Sequence, residues 1–166
     1  MEIVRLTKED VKSLVLLYRE ATVSLRKTGI RQWDRFYPNR FVIGADVRRG
    51  TVFGIREEGN VIGAIVVDRR QSGRYGNLRW RDETGEPACI HRLAVYPLCQ
   101  GRGIGRRLLR FAEEHARSAG GSSIRLDVYS GNDGAVGMYR RAGYSEVGVI
   151  RFPMRKVPYY CFEKLL

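Results

Sequence analysis

A glycine-rich hexapeptide at residues 100–105 (QGRGIG) is the part of this 166-residue sequence with the clearest chemical meaning. It follows an apolar run at residues 93–95 and a turn signal at Pro97, and it opens a helical pattern over residues 104–119. Glycines let a backbone approach a ligand closely, while the first N–H groups of a helix and the positive end of its dipole favour anions. The spacing therefore predicts a phosphate-binding turn.

Three kinds of phosphate-binding turn differ in the spacing of their glycines. A P-loop requires GxxxxGK[ST], and no such string occurs in the sequence. A dinucleotide-binding turn requires GxGxxG in the first β-α unit, but here Arg106 takes the sixth position and several predicted strands come first. The third pattern, Gln-x-x-Gly-x-Gly, is met at Gln100, Gly103 and Gly105.

Two flanking segments extend the third pattern. Residues 91–97 (HRLAVYP) precede the turn, and residues 132–144 (NDGAVGMYRRAGY) have the form Asn-x-x-Ala-x-x-x-Tyr-x-x-x-Gly-aromatic. In order and distance these segments resemble the GCN5-related N-acetyltransferase (GNAT) superfamily, and the resemblance is most specific over residues 90–144. It implies a single N-acetyltransferase domain over residues 1–166.

The resemblance also implies a donor, acetyl-CoA, and the residues that hold it. Amides of the fourth strand would engage the pantetheine arm and the carbonyl, the glycine turn would hold the pyrophosphate, and Asn132 would contact the pantetheine or the adjacent strand end. Arg102, Arg106 and Arg107 would supply charge. The expected coenzyme-binding residues are Leu93, Ala94, Val95, Gln100, Gly101, Arg102, Gly103, Ile104, Gly105, Arg106, Asn132 and Tyr139.

Acetyl transfer from a thioester to an amine needs a proton acceptor for the amine, donors for the carbonyl oxygen and an acid near the departing thiolate. Tyr139 is expected to be that acid, because it occupies the family position whose hydroxyl reaches the coenzyme sulfur. The alternative is a tyrosine that only packs in the last helix. Three candidates for the base are Glu86, His91 and water. The alternatives are that Glu86 is only a solvated surface acid and that His91 is only a structural residue.

The acceptor is expected to be a primary amine of a small molecule or a peptide. The resemblance implies that residues 29–38 and 151–162 determine its identity. In the first segment Trp33 and Tyr37, with Phe36, would form an aromatic wall, and Asp34 would attract a cationic amine. Alternatively, the aromatic side chains pack on the core.

The charge balance adds a second functional hypothesis. Lys and Arg number 30 against 18 Asp and Glu, so the formal net charge is +12, which predicts attraction to an anionic partner. The alternative function is therefore a basic nucleic-acid- or ribosome-binding module on the same fold without turnover. Nucleic acid is not the expected partner, because the sequence lacks RNP, helix-turn-helix and zinc-finger spacings. A homodimer with a second copy stays open.

Composition and cysteine content indicate a soluble cytoplasmic protein. The sequence has 43% hydrophobic and 29% charged residues, no apolar run long enough for a transmembrane helix, and no signal-peptide pattern at its N-terminus. Cys89, Cys99 and Cys161 are odd in number and widely spaced, which predicts reduced thiols. No metal is expected, since there is no CxxC pair and the two histidines are far apart.

The elements that position these residues follow from periodicity and turn signals. An α/β fold with a mixed sheet (an α+β mixture) is predicted, in the order β-α-α-β-β-β-α-β-α-β-β. Strands are expected at residues 2–6, 51–56, 61–68, 88–95, 123–129, 144–150 and 157–165, and helices at residues 7–28, 39–49, 104–119 and 132–142. A hairpin turn is expected at Gly59 and Asn60, and a short strand at residues 78–81 is left open within an irregular stretch.

Overall fold

The computed structural model describes residues 1–83 and 85–166. Within these residues the chain forms seven strands and four α-helices in the predicted order, which confirms the α/β class with a mixed sheet. The elements are β1 Val4–Arg5, α1 Val11–Lys27, α2 Arg40–Arg48, β2 Val52–Glu57, β3 Asn60–Asp68, β4 Pro87–Val95, α3 Ile104–Ser118, β5 Ser123–Tyr129, α4 Asp133–Arg141, β6 Ser145–Ile150 and β7 Tyr159–Leu165. None of the helices in this described part is both long and apolar enough to cross a bilayer.

The chain folds into two compact units, each built from two stretches of sequence. Unit 1 comprises Met1–Val67 and Arg92–Ala112, and unit 2 comprises Asp68–His91 and Glu113–Leu166. Strands β3 and β4 and helix α3 each contribute residues to both units. One domain over residues 1–166 stays a prediction.

In unit 1 the strand order is β1-β2-β3-β4, with antiparallel pairing from β1 to β3. The turn between β2 and β3 consists of Glu58 and Gly59, whose φ angles are +50° and +76°. A two-residue hairpin of this kind requires left-handed backbone at both positions. The predicted turn at Gly59 and Asn60 is therefore wrong by one residue, because Asn60 already pairs with Glu57 in the ladder.

The two faces of β3 hold different helices of unit 1. Ala64 lies in a buried cluster with Leu14 and Leu17 of α1. The preceding residue, Gly63, points to the opposite face, where a Cβ atom would lie 2.6 Å from Cγ2 of Ile104. Only glycine at this position allows the first turn of α3 to approach the strand so closely.

The start of α1 follows the sequence prediction with one difference. The Thr7 amide donates to the Asp10 carboxylate at 2.7 Å, as in a capping box. The box opens a 3-10 turn, Lys8–Asp10, and the α-helix begins only at Val11. Helix α2 is capped by Asn39, whose side chain accepts hydrogen bonds from two helical amides.

In unit 2 the order is β4-β5-β7-β6, with β4 and β5 parallel and the other pairs antiparallel. The short strand considered for residues 78–81 is wrong. The preceding residues form a 3-10 helix, Gly73–Asn77, and Trp80 folds back to donate from its indole to the Tyr75 carbonyl at 2.9 Å. The two rings, 5.0 Å apart, then pack on Cys89 and Cys161 of the sheet.

Candidate active site

The glycine turn has the backbone that the sequence predicted for it. Gly101 and Gly103 have φ angles of +79° and +76°, in the left-handed region that side chains rarely adopt. The Gly103 carbonyl accepts from the Arg107 amide at 3.1 Å, so helical hydrogen bonding starts there. The amides of the first turn of α3 have no partner within the helix and point towards the preceding turn. The geometry suits an anion.

The arginines beside this turn are not equivalent. Arg102 binds both carboxylate oxygens of Glu57, at 2.6 and 2.9 Å, and this contact lowers the pKa of Glu57. Arg107 donates to the Met1 carbonyl. Arg106, which is exposed, belongs to the first turn of α3. Of the three arginines expected at the phosphates, two therefore already have partners in the folded chain.

Strand β4 bends at Arg92, whose φ is +46°. Such a backbone is uncommon for a residue with a side chain and persists only where its surroundings hold it. The Arg92 guanidinium contacts Asp46 at 2.7 Å and donates to the Tyr37 hydroxyl at 2.7 Å. Burial lowers the pKa of Arg92, but these two partners outweigh it and raise that pKa above its ordinary value.

Sequence reasoning missed Arg92 and Asp46. The signal was a single acid within the apolar stretch of α2, and Asp46 is indeed only 1% exposed. Directly after the bend, Leu93 and Val95 are half-buried, while Ala94 belongs to the core of unit 1. The residues of β4 that are expected to contact the coenzyme therefore follow directly after a residue that a buried ion pair holds in place.

The three residues predicted to bind the acceptor lie in unit 1 but differ in their contacts. Trp33 packs edge-on against Tyr18, with ring centroids 5.5 Å apart, and so joins the core. Tyr37 binds Arg92. The Asp34 carboxylate accepts from the amides of Phe36 and Tyr37 at 2.8 and 3.0 Å. Asp34 also lines a cavity of about 680 Å³ beside α1.

Tyr139, the predicted acid, is a buried residue of α4 in unit 2. Its ring packs against Tyr144 and Phe162, with centroids 5.8 and 6.3 Å away. Burial, together with the negative charge of Asp127, raises the pKa of Tyr139 above its ordinary value. The hydroxyl therefore keeps its proton through neutral and mildly alkaline pH, as a proton donor must.

The two side chains considered as the base have different surroundings. His91 is half-buried, and its Nε2 lies 3.0 Å from Oδ1 of Asp68. A hydrogen bond from Nε2 to this carboxylate would leave Nδ1 as the ring nitrogen able to accept a proton. The Glu86 side chain is 70% exposed and pairs with Arg69 at 2.7 Å. The His91 imidazole is therefore held in place by Asp68, whereas Glu86 is a solvated surface acid.

Asn132 has a structural task that is visible in the helix geometry. Its side-chain oxygen accepts from the Ala135 amide at 3.1 Å and so caps α4, the helix that carries Tyr139. Any contact with a coenzyme would be additional to this cap. Among the described residues, no three His, Cys, Asp or Glu side chains gather in a group that could hold a metal ion.

The fold is that of acetyltransferases. A crystal structure of a GNAT-family acetyltransferase from Streptococcus agalactiae matches it with a TM-score of 0.84 at 22% identity, over 99% of this chain and 95% of the other. PaiA N-acetyltransferase from Thermoplasma acidophilum, crystallised in complex with coenzyme A, matches with a TM-score of 0.74 at 20% identity, over 99% and 98% of the two chains.

Sequence comparison gives the family. The model of the Acetyltransferase (GNAT) family matches residues 15–144, and the chain belongs to this family, as the motifs implied. It is 28% identical to "Uncharacterized N-acetyltransferase YesJ" of Bacillus subtilis, over 94% of this chain and 85% of that protein. It is 45% identical to N-alpha-acetyltransferase RimI of Mycobacterium tuberculosis, over 59% of this chain and 54% of that protein.

Proposed function

We propose that this protein transfers the acetyl group of acetyl-CoA directly to a primary amine of a small molecule or a peptide. The observation that carries the proposal is the turn with left-handed Gly101 and Gly103 at the start of α3, in a chain of the GNAT family. The complex of the Thermoplasma acidophilum neighbour with coenzyme A supports the same donor. Because Cys89, Cys99 and Cys161 are unpaired and buried, a reducing cytoplasmic location belongs to the proposal.

The residues present fit a coenzyme with phosphates. Around the turn, Gly101 and Gly103 are exposed and a Cβ at either would meet no atom within 4 Å, so their surroundings are open. Helix amides and the exposed Arg106 offer donors for the pyrophosphate. Arg102 would exchange its contact with Glu57 for a phosphate oxygen. Amides on β4 at Leu93 and Val95 would hold the pantetheine arm and the carbonyl oxygen.

Two side chains would handle the protons of the transfer. Acetyl-CoA would supply the acetyl group as a thioester. The acetyl carbon would form a C–N bond with the acceptor amine, and its C–S bond to the coenzyme would break. His91, held by Asp68, would take the proton that the attacking nitrogen loses. Tyr139 would give its proton to the departing thiolate. Glu86 is less suited to act as the base because it is exposed and paired with Arg69.

The test combines coenzyme binding with turnover. Acetyl-CoA is expected to raise the melting temperature of the protein in a concentration-dependent way, because a ligand that binds only the folded state stabilises it. With a panel of primary amines, at least one should cause release of the coenzyme thiol. Salt-dependent RNA binding without any coenzyme effect would instead favour the basic binding module.

A further inference from the structure

The residues that line the cavity beside α1 do not include the glycine turn, Tyr139 or His91. It lies within unit 1, is lined by one side of α1 and by residues 34–36 and 38–40, and has a volume of about 680 Å³. That volume falls within the range of pockets that hold small molecules. We call it the arginine pocket, because Arg19, Arg26, Arg35 and Arg40 line it.

The charge of the arginine pocket is strongly one-sided. All four arginines are exposed, and among the residues that the structure describes Asp34 is the one acid that lines the pocket, while the Glu20 carboxylate lies 3.9 Å from Arg19. Arg19 and Arg26 are seven residues apart on α1, so their Cα atoms lie about 10 Å apart on the same side of the helix. Arg35 and Arg40 come from the facing segment. Their guanidinium groups lie over the rings of Phe36 and Phe41 at 4.6 and 4.8 Å.

The uncharged polar groups of the pocket wall are engaged within the protein. The Tyr18 hydroxyl donates to the Arg92 carbonyl, and the Thr22 hydroxyl donates to the Tyr18 carbonyl, both at 2.7 Å. The Asn39 side chain accepts from the amides of Phe41 and Val42 and donates to the Phe36 carbonyl.

Asp34 is likewise engaged, since its carboxylate accepts from two backbone amides of its own turn. The apolar residues that line the pocket include Val15, Val23 and Phe36. A ligand would therefore meet apolar side chains together with guanidinium donors. Guanidinium groups recognise carboxylates through paired hydrogen bonds.

We propose that the arginine pocket binds the acceptor through a carboxylate, so that the substrate is an amine that also carries a carboxylate and an apolar part. This inference rests on the proposed acetyl transfer. It differs from the sequence prediction in which Asp34 attracts a cationic amine, because arginines outnumber that single engaged acid. The lining residue Tyr18 donates a hydrogen bond to the carbonyl of Arg92, which directly precedes the strand residues assigned to the coenzyme.

The carboxylate could belong to a free amino acid or to an acidic side chain of a peptide. Two matched pairs of probes separate these sources: Ala-Glu-Phe amide against Ala-Gln-Phe amide, which differ only in the side-chain carboxylate, and free phenylalanine against phenylalanine amide, which differ only in the α-carboxylate. Thiol release is measured for each with acetyl-CoA. We expect the acidic member of one pair to have a kcat/KM about tenfold higher, the effect of one charge-assisted contact. The pair that shows the preference identifies the source.

Variants test whether the arginines cause the preference. Arg19→Gln combined with Arg26→Gln should remove about tenfold of kcat/KM for the acidic probe and leave the amide probe within twofold. Arg48→Gln, an exposed arginine of α2 that does not line the pocket, is the matched control. Equal activity on both members of both pairs, or an equal loss in the control, would overturn the inference.

Binding without turnover keeps this inference separate from the proposed function. The N-acetylated form of each acidic probe, N-acetyl-Ala-Glu-Phe amide and N-acetylphenylalanine, can be titrated by calorimetry into the wild type and the double variant. We expect the double variant to bind one of these two acids at least about fivefold more weakly, and the matching N-acetylated amide probe to bind equally to both proteins. If no amine releases thiol, the acetyl-transfer proposal fails and titration alone decides whether the pocket binds carboxylates. Equal affinity in both proteins contradicts the pocket.

Discussion

The Tyr18 hydroxyl donates a 2.7 Å hydrogen bond to the carbonyl of Arg92, the residue at which β4 bends. The side chain of Arg92 binds the buried Asp46, which also belongs to unit 1, at 2.7 Å. Main chain and side chain of one residue are therefore held by α1 and α2. These contacts over-determine a backbone conformation that would otherwise be unfavourable.

Replacement of Arg92 by alanine should destabilise the fold markedly. Asp46 is only 1% exposed, and without Arg92 its carboxylate would lose its more buried partner and keep Arg49 at 2.6 Å, whose side chain is 39% exposed. Breaking a buried ion pair typically costs about 3 kcal/mol or more in the free energy of unfolding. Urea unfolding measures the change, and Arg48→Ala on the surface of α2 is the control. A loss below about 1 kcal/mol would contradict the role given to this pair.

Tyr139→Phe should lower turnover and leave coenzyme binding intact. The substitution removes only the hydroxyl, while packing against Tyr144 and Phe162 remains. Loss of a general acid typically reduces the rate by about 100-fold or more. Steady-state thiol release gives kcat, and the shift of the melting temperature with acetyl-CoA reports binding. Unchanged kcat would remove Tyr139 from the mechanism.

His91 and Asp68 should behave as one unit. We expect His91→Asn to lower kcat by about 100-fold or more and to abolish the acidic limb of the pH–rate profile. Asp68→Asn should have a smaller effect, and the double variant should be no worse than His91→Asn, because Asp68 acts through His91.

The exposed Glu86 provides the matched control for this pair. Glu86→Gln should leave both kcat and the pH–rate profile unchanged, since its partner is the surface residue Arg69. An acidic limb that survives both His91→Asn and Glu86→Gln would point to water as the proton acceptor.

The buried cysteines of unit 2 should be inert in the native state. Burial raises the pKa of Cys89 and of Cys161 to about 12. At pH 8 the thiolate fraction would then be about 10⁻⁴, so Ellman's reagent should react only after unfolding. Because folding favours the neutral thiol, this contribution to stability is present below the ordinary pKa of about 8.5 and is lost as pH rises towards 12. Rapid native labelling at pH 7 would contradict it.

Much of the fold was predictable because the local signals were strong and consistent. The periodicity of α3, the apolar run of β3 and the capping box at Thr7 each specify an element without knowledge of the rest of the chain. The errors concern short segments. The hairpin turn is offset by one residue because Glu58, not an obvious turn residue, adopts a left-handed φ of +50°. Residues 78–81 have strand-like composition, but Trp80 is held by Tyr75 in a fold-back.

Some parts of the candidate site were likewise predictable from the sequence, and others were not. The glycine turn and the helix of Tyr139 carry contiguous motifs, so the sequence indicated both. The contacts of Arg92 with Asp46 and of His91 with Asp68 join residues that are separated by 46 and 23 positions in the sequence. No local pattern identifies either pair. The arginine pocket likewise depends on which side of α1 faces residues 34–40. Pairings between distant segments require the tertiary structure.

Mass spectrometry of the acceptor after incubation with acetyl-CoA tests acetyl transfer most directly. In the wild type, one amine of the acceptor should gain one acetyl group for every coenzyme thiol released, and Tyr139→Phe should slow both to the same extent. Thiol release without acetylated amine would show hydrolysis instead of transfer. Coenzyme binding with neither product, across acidic, neutral and basic amines, would contradict an N-acetyltransferase.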